Sequence, residues 1–454
     1  MKPIIEILDA VHCRADKTLR LEIYNSLSYK DVNFQPARFG TKSKVQTRSF
    51  IDRRSGLFLT GLLPRVQTFL TNRKIKFKTT KSPIEKVQTS KYSMKAVLRP
   101  YQKTALQEIL SKQRGVVKAP TGSGKTIIVL AACSVFRDYR ILFLCHTKDL
   151  LQQTTDEAKK YLPEMRLQII GGGMSKEFDE DADIVLATIQ SFAKIPPENY
   201  MDYFGAIIVD ECHHVNDRDS QFGIVLQHCI APVKLGFTAT LPEKTKDKLA
   251  LEGIIGPILS EYSTTDGIKD GFLATPKITM IPIPTTQSIS LNRKYKDIYK
   301  EGIVNNRLRN GRIIQATGDR VANGKSVLIM VKEVEHGDII HDLLKKSKIK
   351  SVFIWGSTKG EQRKETKMAL SNKKIKVVIS TTIWREGINI PSLDVVLNAC
   401  GGKSEVMTLQ AIGRGFRTAK GKDSVELIDF LDPYRYLAEH CIQRLNIYYK
   451  EKWI

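Results

Sequence analysis

Lys118-Ala119-Pro120-Thr121-Gly122-Ser123-Gly124-Lys125-Thr126 follows the apolar Gly115-Val116-Val117 and precedes the helix-like Ile127-Ile128-Val129-Leu130-Ala131-Ala132. A Gly-rich turn between a strand and a helix is a phosphate-binding loop. Its small residues let backbone N–H groups close around phosphates, Lys125 neutralises the outer ones, and Thr126 offers a hydroxyl to Mg²⁺. The positive end of the following helix adds to the pull on an anion. The alternative for such a turn standing alone is an ordinary surface loop, so the rest of the chain has to decide.

A second stretch decides it. Phe204-Gly205-Ala206-Ile207-Ile208-Val209-Asp210-Glu211-Cys212-His213-His214 is an apolar run ending in two carboxylates. A continuous apolar run suits a parallel strand buried on both faces. Asp210 at its end can hold Mg²⁺ opposite Thr126, and Glu211 can orient and deprotonate an attacking water. Together the two stretches point to a nucleoside triphosphate with Mg²⁺.

Charge points to the partner. The 454 residues carry 72 Lys and Arg against 48 Asp and Glu, a net +24, and residues 1–95 hold 20 basic and 7 acidic residues, or +13 of that excess. Such a concentration favours a polyanion, and nucleic acid over a membrane surface, because no amphipathic or lipidation signal accompanies it. No apolar run approaches the ~18 residues of a membrane span, and the opening residues lack the apolar core of a signal peptide. The seven cysteines are scattered and free of C-x-x-C spacing, which fits a reducing cytoplasm better than a disulfide framework or a zinc site.

The organisation is α/β, in two halves. Strand-like runs at 115–119, 141–146, 167–171, 183–188, 206–210 and 234–238 alternate with helical stretches. A second series lies at 326–331, 351–355, 376–380, 394–398 and 424–429. That alternation is the mark of parallel sheets. The polar, Gly-containing stretch 260–276 reads as a connector, and a helix over 434–451 closes the chain. The spacing implies domains at 1–95, 96–265 and 276–454, with a linker at 266–275.

Residues 1–95 read as a small basic α+β domain. A hairpin over 50–59 turns at 54–56, and a short helix follows that tolerates Pro64 in its first turn. Lys74-Ile75-Lys76-Phe77-Lys78 alternates strictly, so a strand there buries Ile75 and Phe77 and shows Lys74, Lys76 and Lys78 on its other face. Those lysines are candidates for phosphate contact; the rival role is an edge strand guarded against aggregation.

Taken in order, the motifs form one series. Arg99-Pro100-Tyr101-Gln102 precedes the phosphate loop; Cys145-His146-Thr147, Thr188-Ile189-Gln190, Asp210-Glu211-Cys212-His213 and Thr238-Ala239-Thr240 follow it. The second half adds Ser380-Thr381-Thr382, Glu386-Gly387-Ile388-Asn389 and Gln410-Ala411-Ile412-Gly413-Arg414-Gly415-Phe416-Arg417. Over roughly residues 98–430 this series resembles a superfamily 2 helicase of the DExH type. Thr60-Gly61-Leu62-Leu63-Pro64-Arg65-Val66 narrows the resemblance to phage recombination helicases of the UvsW type.

The resemblance implies two tandem RecA-like parallel-sheet domains behind the basic α+β domain, and an ATP-dependent DNA helicase that remodels branched or forked DNA. An RNA helicase, or a duplex translocase that does not separate strands, are the alternatives. It implies a monomer with no obligate protein partner and no membrane. It gives catalysis to Lys125, Asp210, Glu211, Gln410, Arg414 and Arg417, with Arg414 and Arg417 as arginine fingers supplied across a cleft. Gln102 would recognise adenine, and Arg99, residues Ala119, Pro120, Thr121, Gly122, Ser123, Gly124, Lys125 and Thr126, and Gly387 would complete the ATP site. His213, Thr238 and Thr240 would couple hydrolysis to movement. Thr147, Thr188, Gln190, Ser357 and Thr381 would touch nucleic-acid backbone, although strand-end hydroxyls also serve as helix caps. Trp384 is open to stacking on a base or to packing. Asn389 stands where the family usually carries Asp.

Overall fold

A computed structural model describes residues 2–37, 40–81, 83, 86–171, 177–285, 294–381, 393–402 and 424–454. One compact unit comprises residues 1–262 apart from 120–123, and a second begins at residue 263.

The first unit opens with β1 (Ile4–Ile7), β2 (His12–Ala15), β3 (Ser28–Ala37), β4 (Gly40–Ser49), β5 (Leu57–Leu59) and β6 (Lys78–Thr79). Four of them make a sheet in the order β5-β2-β1-β6, and β3 and β4 make a separate antiparallel ribbon. That ribbon keeps one register from Ser28↔Ser49 to Ala37↔Gly40. The turn expected at 54–56 is present, with Gly56 at φ 79, but the hairpin shrinks to one bridge, Ile51↔Phe58. Helix Leu63–Asn72 then starts with Pro64 in its first turn.

The strand expected over 74–78 is not formed: only Lys78 and Thr79 pair, parallel to Ile4 and Ile5. Lys74 closes the preceding helix in the left-handed region, φ 58, which takes the chain out of the extended conformation where the pattern began. The alternation of exposure survives all the same. Ile75 and Phe77 pack on the core, while Lys74, Lys76 and Lys78 are exposed. Burial of two apolar side chains dictates the alternation, and it does not require a ladder partner.

The larger part of the unit is a seven-stranded parallel sheet of β7 (Arg114–Lys118), β8 (Ile141–Cys145), β9 (Leu167–Ile170), β10 (Ile184–Thr188), β11 (Ala206–Asp210), β12 (Val233–Thr238) and β13 (Ile258–Glu261). Its order is β13-β7-β12-β11-β8-β10-β9. Successive residues of each strand enter different cores. Val116, Leu142, Leu144, Val185 and Ile207 lie on one face, and Val117, Ile141, Phe143, Ile184 and Ile208 on the other. Helices on both faces explain why these strands read as unbroken apolar runs.

The first of those cores does not stop at the sheet. It runs on through Leu249 and Ile254 into Leu59, Leu62, Leu63, Val66 and Ile5. Gly61 marks the closest approach: a Cβ there would lie 2.1 Å from the Glu252 carbonyl oxygen. Arg114 fastens the seam, donating from Nε to Ile255 O at 2.9 Å, from Nη2 to Ile254 O at 3.0 Å, and from Nη1 to Ala10 O. Arg65 adds a pair to Glu252 at 2.6 Å.

Directly across from Arg114 on the neighbouring strand is Lys234, 2% exposed and donating to Leu226 O at 2.8 Å. Burial, and then the adjacent Arg114 charge, push its pKa down to about 7. The unfolded lysine titrates near 10.4, so between those values the unfolded chain binds more protons and this residue's share of stability rises with pH. The slope reaches about 1.4 kcal/mol per pH unit at most. Urea unfolding at pH 7, 8 and 9 should therefore give a Lys234→Met minus wild-type difference that moves steadily in the wild type's favour. A flat difference would mean that Lys234 titrates normally.

The second unit is a six-stranded, wholly parallel sheet of β14 (Thr275–Pro282), β15 (Val327–Met330), β16 (Ser351–Ile354), β17 (Val377–Ser380), β18 (Val395–Asn398) and β19 (Ser424–Leu431). The order is β14-β19-β18-β15-β17-β16. Alternate residues again face two cores, Leu328, Val378, Val396 and Leu427 in one, Val327, Val377, Val395 and Ile428 in the other. Helix Leu437–Lys450 covers the first core and carries Arg444, whose Nε donates to Asp429 Oδ2 at 2.7 Å in full burial. The stretch 260–276 holds the end of β13, a helix Thr264–Lys269 capped by Ser263 and Asp266, and the start of β14. The fold is thus two tandem RecA-like parallel-sheet domains preceded by a small basic α+β domain.

Candidate active site

A parallel sheet delivers all its strand ends to one edge, and that edge is where α/β folds bind ligands. Along the first sheet, the phosphate loop leaves β7, residues 238–240 leave β12, and Asp210 and Glu211 leave β11. Cys145-His146-Thr147 leaves β8, and Thr188 ends β10. Strand order therefore sorts the candidates. Those expected at ATP gather on β7, β12 and β11, and those expected at nucleic acid on the adjoining β8 and β10.

The loop itself is held from below. Ala119 N donates to Thr238 O at 3.0 Å, and Ser123 Oγ to Pro120 O at 2.8 Å. Gly122 and Gly124 take φ 86 and 93. At Gly124 the left-handed backbone strains any side chain, and its Cβ would come 2.8 Å from Gln102 Nε2. Helix Lys125–Val135 begins at once, so its N-terminus follows the loop directly, and Lys125 Nζ donates to Ala119 O at 3.2 Å. A turn with two left-handed glycines, a helix N-terminus and a lysine fits a polyphosphate. Thr126 and Asp210 are the residues that could hold its Mg²⁺.

Gln102 turns inward. It is 2% exposed; its Oε1 accepts from Arg99 N at 2.9 Å, and its Nε2 donates to Gly124 O at 3.2 Å. In this arrangement it ties helix Pro100–Lys112 to the loop. Beside it Tyr101 stacks on Tyr262, 3.8 Å between centroids and 3° between planes. Tyr262 lies just past β13, in the stretch the sequence presented as a connector, and no motif flags it.

Glu211 carries the most unusual backbone of the site, φ 50 and ψ 48. A left-handed non-glycine residue costs about 1–2 kcal/mol and here turns the chain sharply after Asp210. Burial would raise the Glu211 pKa, but Lys125, then His213 and His214, hold it down at about 2. It is ionised across the physiological range.

His213 links this carboxylate to β12. Its Nδ1 lies 3.3 Å from Glu211 Oε2 and 3.0 Å from Thr238 Oγ1. The Thr238 hydroxyl has one proton and gives it to Thr240 O at 2.7 Å. It can only accept from the histidine, which places the His213 proton on Nδ1. The chain Glu211–His213–Thr238–Thr240 is a continuous polar path from the carboxylate to the next strand end. His214 in turn stacks on His146, 4.2 Å away, a link to the strand ends expected at nucleic acid that the sequence did not suggest.

At those strand ends Thr147 Oγ1 accepts from Leu150 N at 3.3 Å and caps helix Lys148–Tyr161. Thr188 Oγ1 donates to Ser191 Oγ at 3.1 Å, and the exposed Gln190 donates to His146 O at 3.2 Å. In the second unit Thr381 follows β17 and is 5% exposed, and Ser357 is exposed in the loop after β16. Gly387, Asn389, Gln410, Arg414, Arg417 and Trp384 lie outside the described residues.

Comparison with known proteins agrees in both halves. The family described as "Type III restriction enzyme, res subunit" matches residues 95–243, and "Helicase conserved C-terminal domain" matches residues 309–419. Among similar proteins, the ATP-dependent DNA helicase uvsW of Enterobacteria phage T4 is 28% identical over 380 residues, 78% of this chain and 75% of that protein. The DNA 3'-5' translocase XPB2 of Sulfurisphaera tokodaii is 26% identical over 360 residues, 71% and 79% of the two chains. Across these and three further helicase relatives the chain spans 51% to 79% of their length. Among solved structures, S. cerevisiae Dbp5 bound to RNA and ADP BeF3 shares the fold at a TM-score of 0.57 and 15% identity, over 78% of this chain and 88% of that one. With the two families matched in order along the chain and two tandem parallel sheets beneath them, the chain belongs to the superfamily 2 helicases and is an ATP-hydrolysing helicase.

Proposed function

We propose that the helicase works on branched DNA, regressing forks, migrating Holliday junctions and unwinding R-loops. Residues 1–95 serve as its nucleic-acid-binding domain, 96–265 and 276–454 as the two motor domains, and 266–275 as the link. One observation carries this reading. The +13 of residues 1–95 belongs to a domain whose core is continuous with that of the ATP-binding sheet. A phosphate-gripping surface fixed to the motor domain moves with it, whereas a tethered one does not. The similarity to a phage DNA helicase supports DNA as the track.

The residue roles follow the same reading. Lys125, with Thr126 and Asp210 through Mg²⁺, holds ATP; Glu211 orients water; Gln410, Arg414 and Arg417 complete the site. Thr147, Thr188, Gln190, Ser357 and Thr381 track the backbone. Such contacts discriminate RNA only at 2′-hydroxyls, so the substrate has to be measured. ATPase stimulation by single-stranded DNA, duplex, four-way junction and RNA should be greatest with the junction. Greatest stimulation by RNA would make the chain an RNA helicase. Triplex displacement without strand separation would make it a duplex translocase.

The basic domain has its own test. Changing Lys74, Lys76 and Lys78 together to Ala should flatten the slope of log K against log salt by roughly 2–3 units, one phosphate each. ATPase at saturating DNA should survive, and junction affinity should fall more than single-strand affinity. An unchanged slope in a folded triple variant would leave these lysines as guards against aggregation.

A further inference from the structure

Trp355 is 39% exposed, directly after β16, at the edge of the second sheet. Hydrogen bonds hold the turn that follows it. Trp355 N donates to Thr358 Oγ1 at 3.0 Å, and Thr358 N returns a bond to Trp355 O at 2.9 Å. Arg363, from helix Gly360–Ser371, donates to Thr358 O at 2.9 Å and to Gly356 O at 2.8 Å. Trp355 is thus exposed on a turn held by four hydrogen bonds, so little ordering remains to oppose a contact. A Cβ built on Gly356 would meet nothing within 4 Å, which leaves the space beside that turn open.

Its neighbours give the indole a partner. Ile354 and Ser380 are paired across β16 and β17, and Thr381 N donates to Ile354 O at 3.1 Å. Trp355 and Thr381 therefore leave adjacent strands side by side at the carboxyl edge of the sheet, with Ser357 two residues beyond Trp355 in the same turn. Two residues read as backbone contacts flank one large aromatic side chain, and no ring or cation among the described residues packs on it. Hydroxyls and backbone N–H groups grip phosphates but leave the bases untouched; a flat exposed ring takes a base and tolerates any sequence.

We infer that Trp355 is a base-stacking platform, which holds one nucleobase of a single strand whose backbone passes Ser357 and Thr381. The inference rests on the proposed nucleic-acid path and adds to it a contact specific for unpaired bases. A duplex keeps its bases stacked on one another, so this residue would favour the tracked strand once it is separated.

The test uses the full chain and two labelled oligonucleotides of equal length, an oligothymidylate and the same backbone with abasic sites, at one fixed salt concentration. Trp355→Ala should weaken oligothymidylate binding by about 5- to 150-fold and leave abasic binding unchanged. Trp355→Phe should retain most of the affinity, and all three proteins should melt alike. Equal weakening of both strands, or no weakening of either, overturns the stacking role. Failure of the wild type to bind either strand would overturn the underlying nucleic-acid path, and the inference with it.

Discussion

Glu211→Gln should bind ATP with near wild-type affinity and turn it over at least a thousand-fold more slowly, in keeping with the scale of such groups in phosphoryl transfer. The substitution keeps the shape of the side chain and removes the charge proposed to orient water. In the structure that charge is secured three times over, by Lys125, His213 and His214, which hold the carboxylate ionised despite burial. Lys125→Ala should abolish hydrolysis by a different route, through loss of phosphate binding, and it should also let the Glu211 pKa rise, because Lys125 is the largest influence holding it down. ATP binding and single-turnover hydrolysis separate the two. A purified Lys125→Ala protein with wild-type ATPase would sink the mechanism. A Glu211→Gln protein that neither bound nor hydrolysed would show the carboxylate to be structural.

Arg414→Ala is expected to have the second large effect. A cation acting on charge that develops only in the transition state contributes on the order of 10³–10⁵ in rate and little to ground-state affinity. Saturated turnover should therefore fall by orders of magnitude while ATP affinity stays nearly intact. The opposite pattern, a proportionate loss of binding with unchanged saturated turnover, would remove Arg414 from the reaction and make it a binding residue.

The two effects differ in how visible they were. Arg414 belongs to a motif, and only the resemblance speaks for it. The setting of Glu211 is different: its identity is plain from an apolar run ending in Asp-Glu, but the left-handed backbone and the His213 link are not. His213 and Thr238 stand 25 residues apart in sequence and meet because β12 inserts beside β11. Tyr262, stacked on Tyr101 beside the phosphate loop, was hidden for the same reason, in a polar stretch without any motif. At 74–78 the local alternation forms no ladder beyond Lys78 and Thr79; it guarantees only that two apolar side chains, Ile75 and Phe77, meet a core.

Local pattern thus determined much of this protein. The sequence alone placed the phosphate loop, the paired carboxylates, eleven of the parallel strands to within two residues, and the uneven positive charge. These features rest on short-range physics: left-handed glycines in a turn, apolar runs that must be buried on both faces, lysines that no core accepts. Strand order was decided only in three dimensions, because pairing joins residues far apart in sequence and any apolar strand is chemically acceptable beside any other. That order separated the residues expected at ATP, on β7, β12 and β11, from those expected at nucleic acid, on β8 and β10. It also set Trp355 beside Thr381, and it allowed the basic domain to share its core with the first sheet, where Arg114 spends its donors on three carbonyls that no sequence pattern could have assigned to it.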